Sequence, residues 1–403
     1  MNSLRSWGWL IFFVAGLGRL VYVVKVDPPE ARLFKFEVTS VARAFAARGE
    51  LSDPYKDPTG PTAHLVPVFP IFAGLVLRCT GEAMWGWVLK PIAALVSAAS
   101  WALMPWLALR LGLPLAAGVL AGLWGGLAPF QLYVETNGVW ETPYAVLAMI
   151  LLMAATARLW DRDERRFGRW LLLGLMWGAS ILLSAAHLPV FAGVLVLPSI
   201  WFVRSRGFGW MKFPVVCLAG ALLMLMPWTI RNYFALGGWV PLRSNGGLEL
   251  ALSFRDGVGA MVDFKTQRSH PANSTPESAK VREMGEIAYN RMRGAEGKEW
   301  MWAHSGEVVS LTLRRAATFW FMPYPGWIKQ AALWMITILG FAGLITAIGR
   351  HRNAVLLMGS LLATYPLVYY LHVLDPRYVY PVYWPLVLMG SNLVCRLRLK
   401  PAE

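Results

Sequence analysis

The chain has 403 residues, of which 57% are hydrophobic and only 15% are charged. Soluble domains average about 25% charged residues, so this composition excludes an ordinary soluble protein and favours an integral membrane protein. The net charge of +15 comes largely from Arg clusters that flank apolar stretches, a pattern of membrane topology and not of nucleic-acid binding. The three cysteines show neither metal nor disulfide spacing.

Ten apolar stretches are long enough to cross a bilayer core of about 30 Å as helices. We therefore predict an all-α polytopic membrane protein, with spans at 7–24, 85–109, 113–132, 142–159, 169–186, 188–203, 212–230, 330–349, 354–371 and 378–395. Arg clusters follow every second span. The positive-inside rule places those clusters, and both termini, in the cytoplasm.

The stretch 65–77, LVPVFPIFAGLVL, is not counted as a span. Counting it would move every later loop to the other side of the membrane. Its two prolines and modest length suit a re-entrant or interfacial helix. The prediction is a single membrane domain over 1–403 with two external loops, the first at 25–84 and the second at 231–329.

Both external loops carry helical patterns. In 31–48 the apolar side chains fall on one stripe, which predicts an amphipathic helix at the membrane surface: Phe34, Val38, Val41 and Phe45. In the second loop, 274–293 reads as one helix that opens at Thr275-Pro276-Glu277. The segment 306–320 reads as another, with its apolar side chains aligned on one face: Val309, Leu313, Ala316 and Trp320.

Glu37 lies at the border of the apolar stripe of 31–48, so it is held at the membrane surface outside the lipid. A carboxylate there is able to accept a proton from an incoming hydroxyl group. Partial desolvation is expected to raise its pKa toward a useful value. The alternative is a solvated helix charge without a chemical role.

Glu141 lies in the turn QLYVETNGVWETPY, close to Glu135. It is a candidate to position a hydroxyl group, or to share a divalent cation, Mg²⁺ or Mn²⁺, with Glu37. The alternative is a charge favoured by the helix dipole, because Glu141 precedes the next span.

Cationic and polar side chains mark the outer ends of several spans, and these are candidates to bind a phosphate: His64, Arg231, Arg243 with Asn245, and Arg377 with Tyr378. The alternative is snorkelling to lipid headgroups. Arg19, inside the first span, needs a buried partner. His270 and His304 have no partner at metal-ligand spacing.

The order of these segments resembles a known family. A first span precedes the external helix FEVTSVARAFAARGELSDPY, followed by TGPTAHLVPVFP, a string of spans, PWTIRNYFALGGWVPLRSNGGLEL and a closing DPRYVYPVYWPL. This arrangement resembles membrane glycosyltransferases of the GT-C superfamily, in the bacterial branch similar to dolichyl-phosphate-mannose-protein mannosyltransferases and aminoarabinose transferases.

The resemblance implies a fold and an activity. Family members carry an essential acidic residue in the first external loop, which Glu37 matches, and often a second in the following external turn, which Glu141 matches. Many relatives have a pair of acids at the first position, whereas Phe36 precedes Glu37 here. The expected reaction moves a sugar from a polyprenyl-phosphate donor to a lipid, glycan or protein hydroxyl, with inversion. The site would face the periplasm of a bacterial inner membrane.

Two other classes remain open at this point. A transporter or flippase of lipid-linked sugars would carry internal repeats and charged residues at the bilayer midplane, and few charges lie there. A membrane scaffold would need no carboxylate in a cavity. Convergence of Glu37, Glu141 and at least one Arg on one cavity distinguishes the enzyme from both.

Overall fold

The computed structural model describes residues 2–28, 37–128 and 131–398. Its regular structure over these ranges is helical, apart from two isolated β-bridges. The helices of the first half are α1 (Asn2–Lys25), α2 (Glu37–Arg48), α3 (Val68–Thr80), α4 (Glu82–Ala102), α5 (Met104–Arg110), α6 (Leu115–Leu127), α7 (Leu132–Thr136), α8 (Thr142–Asp161), α9 (Phe167–Leu183) and α10 (His187–Arg206). Those of the second half are α11 (Lys212–Leu236), α12 (Gly246–Ser253), α13 (Phe264–Arg268), α14 (Thr275–Met284), α15 (Glu286–Ala303), α16 (Ser305–Trp320), α17 (Trp327–Ala347), α18 (Arg352–Thr364), α19 (Leu367–Tyr370) and α20 (Tyr383–Arg398).

Seven helical runs in the described ranges are long and apolar enough to cross a membrane: α1, α4, α8, α10, α11, α17, and α18 with α19. The shorter helices α3, α6 and α9 are also apolar. Each predicted span coincides with one of these helices or with α20, which begins only at Tyr383 because Pro376 and Pro381 hold the preceding residues in 3₁₀ turns. The all-α polytopic membrane fold is confirmed, while the number of helices that cross stays a prediction.

Helix α2 is the described part of the predicted amphipathic helix 31–48; residues 31–36, with Phe34, lie outside the described ranges. Its apolar stripe packs on protein, since Val41 is buried and Phe45 is half-buried. The stretch 65–77 forms most of α3. Gly74 permits close packing of α3 on α2, because a Cβ there would lie 2.8 Å from the carbonyl oxygen of Ala42.

The second loop is helical, as predicted, but its helix boundaries differ. The predicted helix 274–293 is two helices, α14 and α15, because Gly285 between them has a φ of 82°, which no continuing helix allows. In α16 the buried side chains are Leu311, Arg315 and Phe319. The predicted apolar stripe lies on the other side, with Val309 and Leu313 exposed.

Helices α9 and α11 pack through glycines. A Cβ on Gly174 of α9 would lie 1.9 Å from the carbonyl oxygen of Cys217, and one on Gly220 of α11 would lie 2.4 Å from that of Leu171. Such small residues let membrane helices approach closely. The two helices therefore form a tight pair that supports the site described below.

Three of the Arg-rich segments lie together at one end of the bundle. Arg206 Nη1 lies 2.6 Å from Asp163 Oδ1, which joins the loop after α8 to the end of α10. The side chain of Asn353 donates to Asp161 at 2.5 Å and brings the start of α18 to the same place. This grouping agrees with the charge pattern on which the predicted topology rests.

A buried ion pair ties the helices together. Arg19 is fully buried, and its Nη2 lies 2.7 Å from Glu135 Oε2. The guanidinium also donates to Ser97 at 3.1 Å and to the carbonyl oxygen of Gly126 at 2.7 Å, while Glu135 Oε1 accepts the hydroxyl of Tyr380 at 2.9 Å. The predicted partner of Arg19 is thus Glu135, and the network joins α1, α4, α6, α7 and the segment before α20.

We expect Glu135→Gln to destabilise the protein, because it leaves the buried Arg19 cation without its counter-charge. Breaking a buried pair costs about 3–5 kcal/mol. Glu82→Gln is the matched control: the Arg43–Glu82 pair is partly exposed, and such pairs contribute about 1 kcal/mol or less. Thermal unfolding of both purified variants checks this, and equal melting temperatures would contradict the structural role.

Candidate functional site

A cavity of about 610 Å³ opens where the first loop, the second loop and the last helices meet. Its walls come from α2, the segment 64–66, the start of α8, the turn between α9 and α10, α12 and the segment 365–381. The structure brings seven of the predicted site residues to this cavity: Glu37, His64, Glu141, Arg243, Asn245, Arg377 and Tyr378. The required convergence of Glu37, Glu141 and an arginine is therefore present.

Arg231 does not line this cavity. Its Nη1 donates to the carbonyl oxygen of Thr62 at 2.7 Å and its Nη2 to that of Leu51 at 2.8 Å. These bonds hold Arg231 on the far side of the segment that carries His64, so it does not join Arg243 and Arg377 in one phosphate site. Sequence reasoning placed it there because all three follow the outer ends of spans.

Glu37 is the first described residue of α2, and its carboxylate faces two imidazoles. Its Oε1 lies 3.6 Å from His270 Nδ1. Burial raises the pKa of Glu37, but His270, a backbone hydrogen bond and Arg377 outweigh burial and hold this pKa below the ordinary value. The expected upward shift is therefore wrong in direction, because the desolvated carboxylate has partners. Glu37 is ionised at neutral pH.

His64 and His270 complete a group of metal-ligand type with Glu37. One donor atom from each of the three side chains lies within 4.8 Å of the others. The Tyr55 hydroxyl lies 3.1 Å from His64 Nδ1, which leaves Nε2 available, and burial lowers the pKa of His64 to about 3, so it is neutral. The N–H of Ala272 donates to His270 Nδ1, so a cation at that atom must replace this bond.

The chemistry of this donor set fits a divalent cation. Two imidazoles with one carboxylate suit Zn²⁺ and similar transition metals better than Mg²⁺, which prefers oxygen ligands. Tyr55 occupies the position of an outer-shell partner that orients a ligating histidine. Glu141, the predicted second carboxylate of a cation site, is not part of this group.

Glu141 lies immediately before α8 and faces the cavity beside Arg377. The guanidinium of Arg377 stacks on the ring of Trp140, 4.9 Å from its centroid. Asp375 caps the turn by accepting the backbone N–H of Arg377 at 3.0 Å. The motif DPRY thus orients Arg377 toward the cavity through a local turn.

Arg243 and Asn245 are positioned by the segment that carries His64. Arg243 Nε donates to the carbonyl oxygen of His64 at 2.7 Å, and the N–H of Ser244 donates to that of Ala63 at 2.9 Å. Asn245 donates to Glu249 Oε1 at 2.7 Å. The two loops are therefore joined by their backbones at the cavity wall.

An ion pair that sequence reasoning missed lies on the same wall. His372 Nε2 lies 2.7 Å from Glu249 Oε2, and His372 Nδ1 lies 2.6 Å from the carbonyl oxygen of Val373. Two acceptors require two N–H groups, so the ring is an imidazolium. Burial lowers the pKa of His372, yet Glu249 outweighs it and raises this pKa above 6.5. For Glu249, burial raises the pKa and His372 outweighs it, so its pKa falls.

Glu286 at the start of α15 holds the two joined loops. It accepts the Thr62 hydroxyl at 2.5 Å, the N–H of Ala63 at 2.8 Å and the Ser244 hydroxyl at 2.6 Å. Burial raises the pKa of Glu286, and the three donors oppose this rise. Glu286 lies behind the wall that presents His64 and Arg243, and it fixes the spacing between them.

An aromatic surface lines the cavity opposite α2. The rings of Tyr369 and Tyr378 stack at 4.7 Å, and the hydroxyl groups of Tyr365 and Tyr369 lie 3.3 Å apart. Trp140 lines the same cavity. Flat aromatic faces with hydroxyl groups at their edges suit a ligand that has both apolar faces and hydroxyl groups.

The structure is similar to that of the oligosaccharyltransferase AglB from Archaeoglobus fulgidus in complex with an inhibitory peptide and a dolichol-phosphate. The TM-score is 0.58, and the sequences are 12% identical over 97% of this chain and 50% of AglB. The oligosaccharyltransferase from the same organism tethered with an acceptor peptide aligns with a TM-score of 0.56 and 13% identity over 97% of this chain and 50% of that one. The chain thus spans about half the length of these proteins. ArnT from Cupriavidus metallidurans bound to undecaprenyl phosphate has a TM-score of 0.37 and 14% identity over 96% of this chain and 78% of ArnT, too low to carry a conclusion.

No family model matches the sequence, and no curated protein does. The AglB alignment covers nearly the whole chain at low identity, so it establishes the fold alone. The chain therefore has an all-α fold similar to that of this oligosaccharyltransferase.

Proposed function

We propose that the protein is a membrane glycosyltransferase that moves a sugar from a polyprenyl-phosphate donor to an acceptor hydroxyl group. One observation carries this proposal: in a GT-C-like fold, the ionised Glu37 and the cations Arg243 and Arg377 line a single cavity of about 610 Å³. A carboxylate for the acceptor and cations for a phosphate are the two groups that such a transfer needs.

The proposed reaction is a single displacement. The acceptor oxygen attacks the anomeric carbon while the bond from that carbon to the phosphate oxygen breaks, and the phosphate leaves with the bonding electrons. Glu37 takes the hydroxyl proton. Because the pKa of Glu37 is low, it is a weak base, and the proton moves only as the new C–O bond makes the hydroxyl acidic. Base and leaving group lie on opposite faces of the sugar, so the configuration inverts.

Arg243 and Arg377 are proposed to hold the phosphate. Guanidinium groups bind phosphate oxygens through paired N–H donors and stabilise the charge that develops as the bond breaks. Asn245 and Tyr378 line the same wall and are assigned to donor binding. Glu141, near Arg377 at the start of α8, is assigned to a sugar hydroxyl group.

We further propose that one carboxylate oxygen of Glu37 holds a divalent cation together with His64 and His270, with Zn²⁺ as the better fit to the donors, and that the other oxygen takes the proton. When bound, such an ion lowers the pKa of an adjacent hydroxyl group. Here His64 and His270 fix the orientation of Glu37, and Tyr55 orients His64. This group takes the place of the expected Glu37–Glu141 pair.

The proposed setting is a bacterial inner membrane, with the Arg-rich ends and both termini in the cytoplasm and the cavity on the periplasmic face. The AglB structure contains a dolichol-phosphate and a peptide, which supports a lipid-linked donor and an acceptor of lipid, glycan or protein class. The external placement of the loops 25–84 and 231–329 follows from the same topology.

We expect Glu37→Gln to lower the rate of sugar transfer about 10²- to 10⁴-fold, because the amide cannot take the proton. The assay measures label transfer by the purified protein from polyprenyl-phosphate sugars. Glu283→Gln is the control, since Glu283 is exposed on α14 and does not line the cavity. Equal rates for the parent and Glu37→Gln would overturn the proposed role of Glu37.

We expect the purified protein to retain zinc, and His64→Ala and His270→Ala to lose it, because each removes one of three donors. His304→Ala is the control: His304 stacks on Trp300, outside the group. Metal content measured by mass spectrometry after dialysis checks this independently of activity. Retention of zinc by all three variants would contradict the assignment of the ligands.

A further inference from the structure

A second cavity, of about 660 Å³, lies between α2, α3, α9 and α11. We call it the lateral groove, and its walls include Pro61, Pro67, Leu182, Pro227, Trp228 and Arg231. Residues 64–66 and Leu183 line the first cavity. The segment 61–67 and the end of α9 thus form a wall shared by the two cavities.

The depth of the lateral groove is set by two apolar helices. Leu182 ends α9, while Met224, Pro227 and Trp228 belong to the outer part of α11, a helix long enough to cross a membrane. The groove is therefore lined mostly by apolar side chains, several of them on a helix that is long and apolar enough to cross a membrane. A hydrocarbon chain is the occupant that matches this lining.

Arg231 gives the groove a positive charge. Its guanidinium stacks on Trp228, 5.1 Å from the ring centroid, and three of its five N–H donors bond to Thr62, Leu51 and Asn232. Among the described residues it makes no salt bridge within 4 Å. Glu50, the carboxylate on the rim, is exposed and pairs with Arg48 at 4.0 Å. Glu286 and Glu50 act on the charge of Arg231 without pairing with it, so two N–H donors remain for an anion.

We propose that the lateral groove binds a membrane lipid that ends in an uncapped phosphate monoester, with its chain along α9 and α11 and its phosphate at Arg231. This site is separate from the proposed catalytic cavity. Arg231 and Arg243 bond to opposite ends of the same short segment, Thr62 O and His64 O, each at 2.7 Å. A lipid bound at Arg231 is thus in contact with the wall that presents His64.

The test uses the full chain in nanodiscs of phosphatidylcholine that contain a trace of lipid with a photoactivatable diazirine in its acyl chain. One arm carries phosphatidic acid as the probe, and the other carries phosphatidylcholine. After irradiation, labelled peptides are mapped by mass spectrometry. We expect phosphatidic acid to label the peptides that contain Leu182 and Met224 at least several-fold more strongly than phosphatidylcholine does.

Two variants and a control make the result specific. Leu182→Trp fills the groove and is expected to abolish this labelling, and Arg231→Gln is expected to remove the preference for phosphatidic acid. Leu222→Trp adds the same bulk to α11 at an exposed position outside the groove and is expected to label like the parent. Equal labelling by both probes, or labelling that Leu182→Trp leaves unchanged, would overturn the proposal.

The outcome is independent of the proposed transferase activity, because labelling needs no sugar donor. Thermal unfolding of each variant separates loss of the site from loss of the fold. If Arg231→Gln unfolds, Arg231→Lys serves in its place, since it keeps the charge but not the paired donors. If Arg231→Lys lowers the labelling by phosphatidic acid to the level seen with phosphatidylcholine, the result supports recognition of the phosphate by the guanidinium.

Discussion

The carboxylate of Glu286 joins the two loops from which the cavity is built. It accepts three hydrogen bonds from residues 62–63 and Ser244, and so fixes the segment before α3 against the segment after α11. Arg231 and Arg243 bind the same segment from either side through carbonyl oxygens. His64, which is proposed to orient Glu37, and Arg243, which is proposed to hold the phosphate, owe their spacing to this junction. A buried carboxylate with all its donors in place is costly to disturb, which makes the wall rigid.

The charges of the molecule are segregated by function. The Arg19–Glu135 pair lies among the helices and is sealed from solvent, with side chains 1% and 3% exposed. A transporter pathway needs midplane charges that face water or substrate. The sealed pair instead connects helices, and the charged groups open to a cavity lie where the loops meet. This separation favours surface chemistry over passage.

The features that were predicted correctly from the sequence depend on residues that are close together in the chain. A membrane helix of about twenty residues forms all its backbone hydrogen bonds internally, so the length of the apolar stretches alone identified the spans. The proline and the charged residues of DPRY indicated the position of Arg377 at the outer end of the last span. Glu37, Glu141 and Arg377 converge as expected. The partners of Glu37 and Glu249 were not predictable, because His270 and His372 are far from them along the chain; Glu249 and His372 are 123 residues apart. Gly285 was read as a helical residue because its positive φ is set by how α14 and α15 pack.

The central claim is that the cavity transfers a sugar from a polyprenyl phosphate to a hydroxyl group with inversion. Incubation of the purified parent protein with a panel of polyprenyl-phosphate sugars of known anomeric configuration, followed by nuclear magnetic resonance of the product, tests it directly. The account predicts release of polyprenyl phosphate and a product of opposite configuration. A product that retains configuration would contradict the single displacement, and absence of transfer from every donor while lipid binds would contradict the enzyme itself.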